Sequence, residues 1–271
     1  MAFEGSDIFE RVLKMQSTGE RGVLVTVIRA DGSTPRKVGT RMLVFEDGSI
    51  LGTIGGGQVE QAVKQEVHKV LLAGSVTVRH FKLTQELAMC CGGQMTFLME
   101  PVVPPLKLVV FGCGHVGQAI LEQASHLEFQ ITAVDDLDEN IEAVTKLNLF
   151  EVVDTYDLDR AGKLAYGPDT LVVIATREHA LDQKLLELVL DRGNRYVGVI
   201  GSKRKAHMQR QRLLAKGFSE ALVDGIVCPM GLDIGAQTPS EIALSVVAQL
   251  VQVIRQPAGL EAQDGTNSQI A

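Results

Sequence analysis

Leu108-Val-Val-Phe-Gly-Cys-Gly-His-Val-Gly117 is followed about 18 residues later by Val134-Asp135-Asp136, a spacing shared with dinucleotide-binding folds. An apolar, β-rich run ends in G-x-G-x-x-G, and helix-forming sequence opens directly afterwards, over 118–126. Gly112 permits the tight turn, Gly114 lets the backbone approach a pyrophosphate, and Gly117 allows helix to pack closely on strand. The helix start offers unpaired N–H groups and the positive end of its dipole to phosphate oxygens. Asp135 closes a second β-rich run, 129–135, and is placed with its neighbour Asp136 to accept hydrogen bonds from a ribose diol. Strand, helix, second strand and terminal acid in this order predict a Rossmann unit. The fingerprint reads a pyrophosphate and a ribose. It does not read a nicotinamide.

The chain has 271 residues, room for two modest domains or one large one. Its 26 Lys+Arg against 33 Asp+Glu leave a net charge of -7, which argues against general nucleic-acid binding. Met1-Ala-Phe-Glu-Gly-Ser-Asp7 is acidic with no apolar run behind it, so no secretory leader is expected. No stretch is long and apolar enough for membrane insertion. The cysteines, Cys90, Cys91, Cys113 and Cys228, form neither a C-x-x-C pair nor a disulfide framework, and a reducing cytoplasm fits them best.

Pro101-Val-Val-Pro-Pro105 reads as a stiff connector between domains. Ahead of it, a helix (7–16), a strand (22–28), a hairpin (41–45 and 49–54), a second helix (58–73) and two strands (76–83 and 94–100) predict an α+β domain. Behind it, apolar strands at 106–111, 130–135, 151–154, 170–175 and 195–200 alternate with helix-capable sequence, which implies a parallel sheet covered on both faces. A last helix is expected over 239–254, with Pro239 in its first turn. The predicted fold is therefore α/β, a C-terminal Rossmann-like doubly wound parallel sheet (104–256) with a smaller N-terminal α+β domain (1–103) and a mobile tail (257–271).

For strand order 3-2-1-4-5 the ligand crevice lies between the first and fourth strands, bringing Cys113-Gly-His115 opposite Thr176-Arg-Glu-His179. Arg177 there suits a phosphate or carboxylate, and His179 a proton shuttle; the plainer alternative is that Thr176 caps a helix whose first turn is solvated. His115 is a candidate ligand contact. Gly201-Ser-Lys-Arg-Lys205 opens a basic helix in which Lys203 and Arg204 either hold an anion or form a solvated face. In the first domain, Gly55, Gly56 and Gly57 bare backbone amides between strand and helix and suggest an anion nest rather than a plain turn. Ser33-Thr-Pro-Arg36 and Gly39-Thr-Arg-Met42 form a polar, cationic loop pair, with Arg36 a candidate ligand contact. Cys90-Cys91-Gly-Gly93 leaves Cys91 poorly shielded, as a reactive thiolate or soft-metal ligand; the alternative is a buried small side chain. Residues 228–241 make a turn-rich loop in which Asp233, Gln237, Thr238 and Glu241 are the polar groups, read either as functional or as a cover over the sheet.

Taken together, these motifs make the chain resemble the xanthine dehydrogenase accessory-protein family (XdhC/CoxI-like) over residues 9–253. The resemblance rests on Gly32-Ser-Thr-Pro-Arg36, Gly39-Thr-Arg-Met42, Gly55-Gly-Gly-Gln-Val-Glu60, Cys91-Gly-Gly93 before Glu100-Pro101, the Phe111–Gly117 fingerprint with Val134-Asp-Asp136, Gly201-Ser-Lys-Arg204, and Gly231-Leu-Asp-Ile-Gly235 with Thr238-Pro239. Cys113 replaces the usual small residue between the first two glycines, and Thr176-Arg-Glu-His179 matches more loosely.

That resemblance implies a maturation factor rather than an enzyme with its own turnover. It would bind molybdenum cofactor, protect it while a cysteine desulfurase supplies its terminal sulfur, and help insert it into an apo molybdenum hydroxylase. A homodimer is expected. A pterin dinucleotide form would place its pyrophosphate on the fingerprint loop, the form without the nucleotide would place its phosphate on the glycine nest, and Cys91 would contact molybdenum, in a site between the domains. The alternatives are an NAD(P)-dependent oxidoreductase using His115 or His179, for which no Tyr-x-x-x-Lys pair is present, and a nucleotide-sensing Rossmann protein.

Overall fold

Alternating burial along Gly22–Asp31 (β1), with Val23, Val25 and Val27 buried, makes this strand the centre of the first sheet. The computed structural model describes residues 6–83 and 92–255. Around β1 are Arg41–Phe45 (β2), Ile50–Gly52 (β3), Thr77–Lys82 (β4) and Gln94–Val102 (β5), all antiparallel, in the order β3-β2-β1-β5-β4. Helix Gly57–Ala73 (α2) lays Val59, Val63, Val67, Val70 and Leu71 on one face of the sheet. Helix Ser6–Thr18 (α1) packs Ile8 and Met15 beside Leu43 and Val102 in a separate apolar cluster. The proline connector begins later than expected. Pro101 lies inside β5, opposite Val23 of β1. It is tolerated because β4 pairs with β5 only as far as Met99, so no neighbour on that side needs its missing N–H.

The first compact unit runs to Pro104, and a second spans Pro105–Gln256. The second holds six parallel strands: Leu106–Phe111 (β6), Phe129–Val134 (β7), Glu151–Val153 (β8), Thr170–Ile174 (β9), Tyr196–Val199 (β10) and Ile226–Val227 (β11). Their order, β11-β10-β9-β6-β7-β8, is the expected 3-2-1-4-5 arrangement extended by a sixth strand, the two-residue β11. Period two divides each strand between the faces of the sheet. Leu108 and Val110 join Ile131, Ala133, Leu171 and Val173 in one core, while Val109 and Phe111 join Val134, Val172 and Ile174 in the other.

Helices His115–Ala124 (α3), Asp138–Thr145 (α4) and Pro239–Arg255 (α9) contribute to the first of these cores. Leu158–Ala161 (α5), His179–Val189 (α6), Lys203–Ala215 (α7) and Glu220–Asp224 (α8) contribute to the second. The fold is thus α/β, a doubly wound parallel sheet preceded by a smaller unit with an antiparallel sheet. The switch in strand order falls between β6 and β9, at whose carboxyl ends ligands of such sheets bind. No helix among the described residues is long and apolar enough to cross a membrane.

Candidate functional site

At the end of β6 the three fingerprint glycines meet three different surroundings. Gly112, at φ +100°, lies so close to the end of β9 that a Cβ would come within 2.2 Å of the Ala175 carbonyl oxygen. A Cβ on Gly117 would fall 1.8 Å from the Gly112 oxygen. Gly114 faces open space, with nothing within 4 Å of where its Cβ would be. It is also the N-cap of α3, and no side chain caps that end. The first-turn amides of α3 therefore face the opening without a side-chain partner, as an anion site requires. His115 stands exposed beside them, whereas Cys113 is buried and its thiol is pushed up to about 12, by burial first and then by the Asp135 charge.

Asp135 departs from its expected role. It is 2% exposed, and both carboxylate oxygens have partners within the chain. Oδ2 accepts from the Cys113 N–H at 2.6 Å and the Tyr156 hydroxyl at 3.0 Å. Oδ1 accepts from the Asp136 N–H at 2.9 Å, the Leu137 N–H at 3.0 Å and the Asn140 amide at 3.2 Å. Burial pushes this carboxyl up, but the hydrogen bonds outweigh it and hold the group below the ordinary range. The residue expected to take the ribose instead fixes the glycine loop from beneath. Asp136 is the exposed acid, and it receives both ends of the Arg177 guanidinium, with Nη2 to Oδ2 at 3.1 Å. Because Asp136 follows β7 and Arg177 follows β9, with β6 between them, the pair spans the end of the strand that leads into the glycine loop.

Next to it lies a buried network. The Thr176 hydroxyl donates to Asp182 Oδ1 at 2.6 Å, and Lys205 Nζ donates to Asp182 Oδ2 at 2.6 Å and to the Ile200 carbonyl at 2.7 Å. Asp182 is fully buried, and the network ties the carboxyl ends of β9 and β10 to α6 and α7. Thr176 is thus committed internally, and His179 is 82% exposed with Nδ1 3.8 Å from Asp182. Lys203 and Arg204 are exposed on the first turn of α7, whose N-cap Ser202 accepts from the Lys205 N–H.

The glycine nest of the first unit is already filled. Glu60 reaches back from α2, and its Oε1 accepts from the Gly56 N–H at 2.8 Å, the Ile54 N–H at 3.1 Å and the Thr53 hydroxyl. Burial pushes the Glu60 carboxyl up, but these bonds prevail and lower it. Gly55 is pressed on Pro35, where a Cβ would approach Cγ to 2.5 Å; Gly56 and Gly57 face open space at positive φ. Of the glycine amides expected to receive an external phosphate, Gly56 N–H donates to the chain's own carboxylate and Gly55 N–H to the Thr53 hydroxyl. Arg36 is exposed in a cleft with Lys37 and Arg41.

Glu241 is likewise a structural group. It accepts from the Gln237 and Thr238 N–H groups at 2.8 and 2.9 Å, while the Glu241 N–H donates to the Thr238 hydroxyl, a capping box on α9. Its neighbour Asp233 is exposed on the loop before α9. Cys91, the expected molybdenum contact, lies outside the described residues. Among the described residues no group of three or more His, Cys, Asp or Glu is arranged to hold a metal ion.

A model described as the XdhC Rossmann domain matches residues 108–250, more than half of the chain, and a model of the XdhC and CoxI family matches 15–82. The chain belongs to the XdhC family. It is similar to the uncharacterized protein YqeB of Escherichia coli (strain K12), 32% identical over 260 residues that cover 94% of this chain and 48% of YqeB. It is 23% identical over 160 residues to a probable xanthine dehydrogenase subunit of Bacillus subtilis (strain 168), covering 59% of this chain and 46% of that protein. Against these two relatives the XdhC-family chain spans about half of their length. The molybdenum cofactor insertion chaperone PaoD of Escherichia coli (strain K12) is 23% identical over 279 residues, covering 87% of this chain and 84% of PaoD. A crystal structure described as a xanthine dehydrogenase from Bacillus halodurans shares the fold, with a TM-score of 0.51 and 24% identity over 93% of this chain and 97% of that one.

Within this XdhC Rossmann unit the structure brings Gly112, Gly114, Gly117, His115, Asp136 and Arg177 to one edge of the sheet, around β6, β7 and β9. Four side chains of that edge escape a reading by motif: Asn140 and Tyr156, which fix Asp135, and Asp182 with Lys205. Asp182 carried a weak signal as an acid in the first turn of a helix. Lys205 carried none beyond its basic neighbours. Chemically the edge offers uncapped amides and one guanidinium to an anionic ligand, and one exposed carboxylate to a diol.

Proposed function

We propose that this XdhC-family chain is a carrier of molybdenum cofactor that supports its insertion into a xanthine dehydrogenase-type apoenzyme. Its family membership and the function for which its relative PaoD is named support this reading. The single observation that carries it is the open approach to Gly114, at the uncapped start of α3. A ligand with a phosphate or pyrophosphate arm would rest on those amides, in the space a side chain at 114 would fill. The residues fit a dinucleotide form of the cofactor, its pyrophosphate on the glycine loop and its second ribose toward Asp136, with Arg177 beside the phosphates. Sulfur delivery by a cysteine desulfurase while the cofactor is held, a homodimeric state and a cytoplasmic location complete the proposal.

Native mass spectrometry of the freshly purified chain tests it directly by weighing what is bound. A mass increment of a molybdopterin species, and molybdenum that stays with the protein through gel filtration, are expected. Gly114→Val should remove both while leaving the melting temperature in place. Recovery of NAD(P) in place of a molybdopterin species would replace this reading with that of a nicotinamide-dependent oxidoreductase, which the same glycine loop would serve.

A further inference from the structure

The first unit holds a second place for an anion, one that the glycine nest does not supply. Residues 1–104 contain six arginines. Arg11, Arg21, Arg29 and Arg79 are neutralised by Glu20, Glu46, Asp31 and Glu66. The other two, Arg36 and Arg41, have no carboxylate partner among the described residues, and both line the same cleft together with Lys37. In a chain of net charge -7, three cations on one concave surface, with no carboxylate partner among the described residues and one acid in the lining, are a local reversal of sign. Arg41 lies over the Phe9 ring at 5.1 Å, a contact that steadies the guanidinium and leaves its N–H groups to a ligand. Asp7, the acid of the lining, is engaged by an interaction of its own.

The cleft measures about 550 Å³, within the usual range for small organic ligands and far larger than a bare phosphate ion requires. Beside the cations, Ile8, Val38 and Leu51 supply apolar wall, and Thr40 a hydroxyl. Apolar wall with a cationic end matches an organic phosphate: guanidinium groups pair with its oxygens in two-point fashion, and the organic part leaves water against the wall.

We propose that this cleft, lined by Arg36, Lys37 and Arg41, binds a phosphorylated small organic molecule, as a site of the first unit in its own right. The proposal does not rest on the cofactor reading of the glycine loop, and either can fail without the other.

Titration of the full chain with phenyl phosphate, inorganic phosphate and phenol, followed by calorimetry and by amide NMR shifts, tests it. Phenyl phosphate is expected to bind saturably and more tightly than inorganic phosphate, with phenol silent, and to shift the amides of Gly39, Thr40, Gly52 and Thr53. Arg36→Gln with Arg41→Gln should weaken phenyl phosphate by roughly tenfold or more, the scale of lost charge-assisted hydrogen bonds. Arg29→Gln, at a neutralised arginine, should leave it unchanged. Equal affinity in the double variant, shifts confined to Gly114 and His115, or no saturation at millimolar ligand would each overturn the proposal. The shift map uses the unaltered protein and decides the matter even where the double variant does not fold.

Discussion

Arg177 and Asp136 close a two-point ion pair over the end of β6, although they leave the sheet from β9 and β7, one on either side of it. Both side chains are substantially exposed, at 43% and 38%, so the pair contributes little to stability and either partner can be drawn away by a ligand. Asp136→Asn should leave the melting temperature within a degree or so of the parent while strengthening binding of inorganic pyrophosphate, which has no ribose to lose an acceptor, because Arg177 no longer has a competing carboxylate. Arg177→Ala should weaken the same binding. Calorimetry with inorganic pyrophosphate at two salt concentrations checks both; a large loss of melting temperature in either variant would mean that the pair is structural.

The three fingerprint glycines should separate by assay. Gly112→Ala and Gly117→Ala drive a Cβ into backbone oxygens, at 2.2 and 1.8 Å, and should cost about 2 to 4 kcal/mol in urea denaturation. Gly114→Ala meets nothing within 4 Å and should be nearly neutral in the same measurement, yet weaken any ligand seated on α3.

In the Asp182–Lys205 pair the acid is fully buried and the amine largely so, with side-chain exposures of 0% and 12%. Removing one partner strands the other, so Lys205→Met should destabilise the chain by about 3 to 5 kcal/mol. Asp182→Asn together with Lys205→Met should recover part of that loss, which a double-mutant cycle in urea measures. Strict additivity would show that the two residues are not coupled.

Acid should weaken the first unit through Glu60. Its carboxyl is lowered from an ordinary value of 4.5, so the folded state prefers it ionised. The stability it contributes is therefore complete above its unfolded value and is lost as pH falls from there through the lower folded value. In Glu60→Gln this part of the acid dependence should vanish, seen as a flatter urea midpoint between about pH 6 and pH 3. An unchanged slope would assign the acid sensitivity to other carboxylates, Asp135 first among them, since it is lowered in the same direction.

Cys113 should resist iodoacetamide at pH 8 in the folded protein and react on unfolding, because burial pushes its thiol up to about 12. Peptide mass mapping after labelling reads this directly, and rapid modification of Cys113 in the native chain would show that the glycine loop opens.

Much of the fold was legible because its signals are local. Runs such as Leu106–Phe111 announce strands through unbroken apolar character, and the capping of α9 is written in Thr238-Pro-Ser-Glu241. Glu241 reads both as a helix-start residue and as a polar group of the turn-rich loop, and its bonds to the Gln237 and Thr238 N–H groups make it the former. Strand β11 leaves no signal in the sequence because two residues carry no period. Pro101 reads as linker in the sequence because a proline's tolerance in a strand depends on where the neighbouring strand stops.

The sequence by itself determined the Rossmann unit, since the positive φ of Gly112 and the close approach of Gly117 to the Gly112 oxygen arise within six residues of one another. Only the tertiary structure decided which polar groups remain for a ligand. Asp135 looks available in a motif, but the Cys113 amide and the Tyr156 hydroxyl it accepts from lie 22 and 21 residues away and come into reach only when strand ends and loops converge. Arg177 lies 41 residues from Asp136, and Lys205 lies 23 from Asp182. Pairing across such separations depends on proximity and on exclusion of water, which strand order and packing create and residue spacing does not encode.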